Sequence, residues 1–285
     1  MKYIRLIRAK HYIKNFLIFL PLVFNGSFFD TAQLKRAALG FAVFCCISSA
    51  VYIINDIRDL EKDKTHPTKC KRPLAAGLVS VRQAIIIMAA LFILAACLSF
   101  FFLPVQAIVY PILYLALNIA YSFGLKDQPL VDVTILSSGF LFRILYGGAV
   151  NDIPISNWLF LTILTMALFF SLGKRRNELR MNSGTETRSV LKKYPVSFLD
   201  KGMYMCLTLG NVFYALWSMD SATEIRYHNF PMIYSFPIVL LITLRYCLLL
   251  EGESDGDPIE VVLRDKQLLF LCFLYVIVLF AVRYA

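Results

Sequence analysis

Residues Gln83 to Leu125 run for 43 positions without one charged side chain. About 20 apolar helical residues cross a ~30 Å hydrocarbon core at ~1.5 Å of rise each. The stretch is therefore about two crossings, and Pro104 in "FFFLPVQA" marks the turn between them. No soluble core needs such a segment. The rest of the chain agrees: of 285 residues, 59% are hydrophobic and 17% charged, against ~25% charged in soluble domains. The expected fold class is all-α, a polytopic membrane protein made of a single transmembrane helical domain over residues 1–285.

Apolar runs of spanning length fall near residues 13–29, 35–54, 82–103, 105–123, 131–150, 155–173, 203–220, 230–249 and 267–284, which predicts about nine transmembrane helices. The connections are too short for an extramembrane domain. With nine spans and the N-terminus inside, 23 lysines and arginines lie on the N-terminal side and 4 on the other, with Arg143 and Arg245 inside spans. That split follows the positive-inside rule. It predicts the inner (plasma) membrane, with the N-terminus and the charged loops cytoplasmic. The net charge of +10 then faces anionic lipid, and no nucleic-acid partner is expected.

The leader "MKYIRLIRAKHYIKNFLIFLPLVFNG" has the basic-then-apolar order of a signal peptide but no small-x-small cleavage site, so it reads as a retained first span. Seven cysteines without a CxxC or a paired histidine fit neither a disulfide framework nor a zinc site. Six lie in predicted spans, and Cys70 stands alone in a charged loop.

That loop, "NDIRDLEKDKTHPTKCKRPLAAG" (55–77), holds three aspartates, one glutamate and six lysines or arginines. Asp56, Asp59 and Asp63 are spaced i, i+3, i+7, which puts them on one helix face at the end of the second apolar run. Their mutual repulsion requires a nearby positive charge, and Arg58 and Lys62 lie about 100° round the helix. A divalent cation suits the geometry. Hard oxygen ligands from one or two carboxylates, completed by substrate phosphates, describe a magnesium site, and Asn55 adds an amide oxygen. An exposed helix end laced with salt bridges is the alternative. Lys69 and Arg72, between two prolines, place a stiffened basic loop beside the acids, the layout expected for a diphosphate leaving group.

"NDIRDLEKD" followed by "RPLAAG" resembles the first aspartate-rich motif, N-D-x-x-D-x-x-x-D, of the UbiA superfamily of intramembrane prenyltransferases. The resemblance implies nine transmembrane helices around a central cavity and Mg2+ bound to a diphosphate by Asn55, Asp56, Asp59 and Asp63. The second acidic motif of members acting on aromatic acceptors, D-x-x-x-D, is not formed after the fourth run. There Asp127 and Asp132 are five apart with Pro129 between them. That segment offers Tyr121, Lys126, Asp132 and, inside the fifth span, Arg143. A bare arginine in mid-membrane is costly, so Arg143 faces a cavity or a partner, Asp132 or Asp152 among the acids nearby. "LGKRRNELR" (172–180) adds Lys174, Arg175 and Arg176, which also fit an ordinary positive-inside cluster.

"YSFGLKDQPLVDV", "GFLFR", "LGKRRNE" and the leader's Lys14 and Asn15 together resemble one branch, the phosphoribosyltransferases acting on decaprenyl phosphate. This implies phosphoribosyl pyrophosphate as donor and a polyprenyl phosphate as acceptor, and it leaves a homo-oligomer open. On this reading Lys69 and Arg72 neutralise the leaving group, and Lys14, Lys126, Arg143, Lys174 and Arg175 bind phosphates. Tyr121 serves a ribose hydroxyl or phosphate, or is an interfacial anchor. The acceptor is already an anion, so no general base is required, and His11, His66 and His228 are scattered. An aromatic prenyltransferase of the same fold, a transporter lined by Arg143 and Arg245, and a silent scaffold are the competing readings. The polar connection 184–202, with Lys192, Lys193 and Tyr194, reads as a cap over the donor or a surface loop, and the acidic segment 251–260 as solvated.

Overall fold

The computed structural model describes residues 2–181, 189–227, 231–252 and 258–284; His228 and the centres of the two polar connections lie outside them. Among the described residues the secondary structure is helical, with no strand. The long helices are α1 (Thr31–Arg58), α2 (Val81–Phe102), α3 (Val109–Ser122), α4 (Val131–Asn151), α5 (Asn157–Met181), α6 (Val196–Ser218), α7 (Phe236–Glu251) and α8 (Lys266–Tyr284). Among the described residues, six helices are long and apolar enough to cross a membrane: α1, α2, Val105–Ser122, α4, α5 and Met232–Glu251. Of the other three apolar runs, one matches the shorter apolar helix Lys266–Val282 and one falls within α6. The first run is not one continuous α-helix.

Local chemistry sets the ends of these helices. Asp30 caps α1 by accepting from the Ala32 and Gln33 backbone N–H groups at 2.8 and 3.1 Å. Ser80 and Gln83 form a reciprocal capping box at the start of α2. Pro104 separates α2 from α3, as the sequence predicts. α2 exposes Ile86, Ile93 and Phe100 along its length. Such a face is a liability in water and is at home against acyl chains.

The chain forms two compact units. The first comprises Met1–Leu22, Ser27–Phe123 and Phe142–Pro154; the second comprises Val23–Gly26, Gly124–Leu141 and Ile155–Ala285. In the first, Ile18, Phe44, Val51, Tyr114, Tyr146 and Val150 share one buried cluster. In the second, Val133, Phe169, Leu172, Leu199, Met203, Tyr246 and Leu268 do the same.

The first apolar run begins as a 3₁₀ helix, Ala9–Phe19, and continues as the short α-helix Leu20–Asn25. Eleven 3₁₀ residues at ~2.0 Å rise cover about 22 Å, so the leader reaches far with few residues. Side chains eclipse every third position in this geometry. Tyr12, Asn15, Ile18 and Pro21 therefore form one ridge, and the last three are buried. The ridge lies so close to α4 that a Cβ on Gly147 would meet the Ile18 carbonyl oxygen at 2.0 Å. Only glycine fits there.

In the second unit, Arg245 on α7 grips Asp265 through two bonds of 2.7 and 3.2 Å. Asp265 also accepts the Leu268 N–H, capping α8. These bonds hold its carboxyl below the usual carboxylate range, with the Arg245 hydrogen bond the largest cause. Arg245 therefore ties two helices together, which removes one support for the transport reading.

Candidate functional site

The end of α1 carries the first motif. The sequence predicts an unbroken helical face through all three aspartates; the structure instead ends α1 at Arg58 and restarts a short helix at Leu60–Thr65. Asp59 is the junction. Its N–H still bonds to the Asn55 carbonyl at 2.9 Å, and its carbonyl accepts from Asp63 N at 2.8 Å, so the helical hydrogen-bond rhythm survives the break. Asp56 and Asp63 are buried and Asp59 is half-buried.

The two buried carboxylates meet through one nitrogen. Arg72 Nη1 donates to Asp56 Oδ1 at 3.1 Å and to Asp63 Oδ2 at 2.6 Å. The motif R-P-L-A-A-G explains how Arg72 arrives there. Gly77 adopts φ 68°, its N–H bonds to Leu74 O at 3.0 Å, and Leu78 N bonds to Pro73 O at 2.9 Å. That pairing is a Schellman closure, which requires a left-handed residue at Gly77. Leu74 anchors the turn in a buried cluster with Leu6, Ile53, Val79 and Ala84. A rigid, hydrophobically pinned turn thus fixes the guanidinium against the acids.

A residue that sequence reasoning did not single out completes the cluster. Arg8 Nη2 donates to Asp56 Oδ1, and the guanidinium lies 4.6 Å from the ring of Tyr52, one turn back on α1. Arg8 has φ 53°, a left-handed conformation rare for a residue with a side chain. Nothing in the leader's composition separates Arg8 from its basic neighbours. Ser122 was also missed, and its hydroxyl donates to Asn55 Oδ1. Arg58, by contrast, lies over the Phe123 ring at 4.3 Å rather than on the acids.

Deeper along the same face the leader continues to pair with α1. Tyr12 and Ser49 share a hydrogen bond of 2.8 Å, and Asn15 Nδ2 donates to Ser48 Oγ at 3.4 Å and Cys45 Sγ at 3.1 Å. Asn15 Oδ1 accepts from Arg143 Nε at 2.7 Å. Arg143 also lies 4.9 Å from the Phe44 ring and 5.0 Å from the Tyr114 ring. Sequence reasoning set a cavity-facing role against a structural pair with Asp132 or Asp152, Asp132 lying about three turns away, too far for a direct bridge. The structure gives it an amide oxygen and two aromatic faces, and Asp132 is engaged elsewhere.

Asp132 opens α4 in the second unit and is fully buried. Its Oδ2 accepts from Arg175 Nε at 2.7 Å, and its Oδ1 accepts from the Tyr194 hydroxyl at 2.6 Å. The same hydroxyl accepts the Leu130 N–H at 2.6 Å, and Arg175 Nη1 donates to Glu178 at 2.7 Å. Burial first, then its bond to Asp132, push the Tyr194 hydroxyl up to about 12. Arg175 and Arg176 are 1% and 2% exposed, so they are not the surface cluster that their sequence also allowed. Arg176 instead joins Asp200 and Glu251, linking α5 to α6 and α7.

Of the predicted site residues, the first unit thus holds Lys14, Asn15, Asn55, Asp56, Asp59, Asp63, Lys69, Arg72, Tyr121 and Arg143, and the second holds Lys126, Asp132, Lys174 and Arg175. Lys14, Lys69, Tyr121, Lys126 and Lys174 are half-buried. Among the described residues no three His, Cys, Asp or Glu side chains converge as a metal would require. Asp56 and Asp63 meet on the Arg72 guanidinium, and with Asn55 they are the kind of hard oxygen donors that Mg2+ prefers. The donor chemistry fits, and a guanidinium nitrogen stands between the two carboxylates.

Comparison with known proteins follows the same lines. The chain is 35% identical to a decaprenyl-phosphate phosphoribosyltransferase of Mycolicibacterium smegmatis, covering 95% of this chain and 89% of that protein. It is 34% identical to the protein of the same name from Corynebacterium glutamicum, covering 97% and 85%. A UbiA homolog from Archaeoglobus fulgidus, solved bound to GPP and Mg2+, superposes with a TM-score of 0.73 over the full length of both chains at 18% identity. The UbiA prenyltransferase family pattern matches residues 18–274, and the chain belongs to that family.

Proposed function

We propose that this protein transfers 5-phosphoribose from phosphoribosyl pyrophosphate to a polyprenyl phosphate, releasing pyrophosphate, with the whole chain acting as one catalytic domain in the plasma membrane. The observation that carries the reading is the pair of buried carboxylates, Asp56 and Asp63, set against Arg72 and Arg8 at the end of a long apolar helix. Relatives named for this transfer align with nearly the whole chain, which supports these substrates for the site.

Asp56, Asp59 and Asp63, with Asn55, would hold Mg2+. When bound, the ion supplies positive charge to the pyrophosphate as it departs. Lys69 and Arg72 take up further leaving-group charge. Lys14, Lys126, Arg143, Lys174 and Arg175 are the cations for the 5-phosphate and the lipid phosphate, and Tyr121 offers a hydroxyl. One oxygen of the polyprenyl phosphate forms a bond to the anomeric carbon, and the bond from that carbon to pyrophosphate breaks. The electron pair leaves on pyrophosphate. The nucleophile is an anion, so no proton moves, and acceleration comes from positioning and fixed charge. Asp132 is saturated by Arg175 and Tyr194, so its part is to orient Arg175.

Purified protein in detergent, given Mg2+, labelled phosphoribosyl pyrophosphate and a polyprenyl phosphate, is expected to move label into the organic phase. No labelled lipid, with transfer from a prenyl diphosphate to an aromatic acid instead, would replace this reading with the aromatic prenyltransferase.

A further inference from the structure

Two guanidinium groups and two carboxylates form a linked quartet at the end of α1. Asp56 Oδ1 accepts from both Arg8 and Arg72, and Arg72 bridges onward to Asp63. The acid side chains are 2% and 5% exposed, whereas Arg8 and Arg72 are 21% and 29% exposed. The negative charges are therefore buried and fixed, and the positive ones reach them from the accessible side. The quartet is electrically neutral as it stands.

We propose that Arg8, together with Arg72, occupies the cation position of the Asp56–Asp63 pair and makes metal binding there conditional on the diphosphate arriving with it. The proposal rests on the functional reading above only in taking a diphosphate as the ligand. A divalent ion entering the neutral quartet alone would bring two positive charges into a mostly buried site, offset at most in part by Asp59, which is costly. A diphosphate removes that cost. Guanidinium groups bind phosphate oxygens in a fork as readily as they bind carboxylates. Arg8 and Arg72 can then move from carboxylate to diphosphate while the ion takes their place between the acids.

Arg8 is built for such an exchange. It ends the first turn of the leader in a left-handed backbone conformation, φ 53°, and leans on the Tyr52 ring at 4.6 Å. The ring keeps the guanidinium beside Asp56 without saturating its donors. Leu6, two residues earlier, is buried with Leu74 of the Arg72 turn, so both arginines are carried by backbone pinned in one cluster.

The test is direct metal binding. Mn2+ titrated into detergent-purified protein is followed by electron paramagnetic resonance, with and without inorganic pyrophosphate, and counted against protein-free micelles. The wild type is expected to bind Mn2+ weakly alone and about tenfold or more tightly with pyrophosphate. Arg8→Gln is expected to bind Mn2+ alone more tightly than the wild type and to gain less from pyrophosphate. Arg8→Lys, which keeps the charge, should stay close to the wild type. Equal Mn2+ affinity of Arg8→Gln and wild type without pyrophosphate would overturn the proposal. If Arg8→Gln does not fold, the wild type decides alone: Mn2+ affinity indifferent to pyrophosphate overturns it. Sugar transfer with indifferent Mn2+ binding would sink only this inference, and conditional Mn2+ binding without sugar transfer only the functional reading.

Discussion

Tyr194 shows how much one side chain can settle. Its hydroxyl donates to Asp132 and accepts from the backbone of Leu130, a residue at φ 67°. Tyr194→Phe removes both bonds and leaves a buried carboxylate oxygen and the Leu130 N–H short of a partner. Such losses cost about 1–3 kcal/mol each, so the variant is expected to melt several degrees lower in detergent. The pH dependence carries the same signature. Folding raises this hydroxyl from an ordinary value near 10 to about 12. The folded state thus holds the proton that the unfolded state releases in that interval. Its stabilisation is complete below pH 10 and drains away as pH rises toward 12. Melting curves across that interval should fall more steeply for the wild type than for Tyr194→Phe; parallel curves would show that the hydroxyl is not protected. Asp56, Asp63 and Arg72 were legible in the sequence because a mixed-charge motif in an apolar chain has few uses. Arg8 was not, because a basic leader already has an explanation in topology, and a left-handed backbone leaves no mark in the letters around it.

At the scale of elements, the helices were legible wherever apolar length and a breaker coincide, as at Pro104. The leader was not. "AKHYIKNFLIF" carries the apolar content of a span, and nothing in it announces a 3₁₀ helix. The reason is tertiary. Three-residue periodicity lets Asn15 reach Arg143 while the Ile18 carbonyl settles on Gly147, and these two positions lie four apart on α4. In an α-helix the two would be offset by about 60° and only ~4.5 Å apart along the axis, short of the ~6 Å that separates two positions four apart on α4. Gly147→Ala tests this packing, since its new methyl would meet backbone rather than a yielding side chain. Overpacking of this kind costs typically 1–3 kcal/mol and sometimes more. A marked loss of thermal stability is expected. Gly40→Ala is the control, because there a Cβ would meet the Tyr146 ring edge at 3.2 Å, a side chain able to shift. Equal effects of the two substitutions would mean that the leader is free to move away from α4.

For the whole molecule, the governing choice is which side of the membrane receives the charged loop. Lysine and arginine counts predict a cytoplasmic side for the leader and the 55–77 loop. The structure adds that leader and loop are one assembly, since Arg8 bonds to Asp56 and Leu6 packs with Leu74. They must therefore lie on the same side, whatever the number of crossings elsewhere. That matters chemically, because a phosphorylated sugar donor is supplied from the cytoplasm and does not cross lipid. Cys70 offers a reporter. It is partly exposed beside Lys69 and Lys71, and its thiol is free. In a variant with the other six cysteines replaced by alanine or serine, a membrane-impermeant maleimide should label Cys70 in inside-out vesicles and spare it in intact cells. Labelling from outside would place the aspartate motif away from its donor and invert the orientation read from the charges. Protection by pyrophosphate with Mg2+ in the same vesicles would, in addition, put the diphosphate against the loop that carries Arg72.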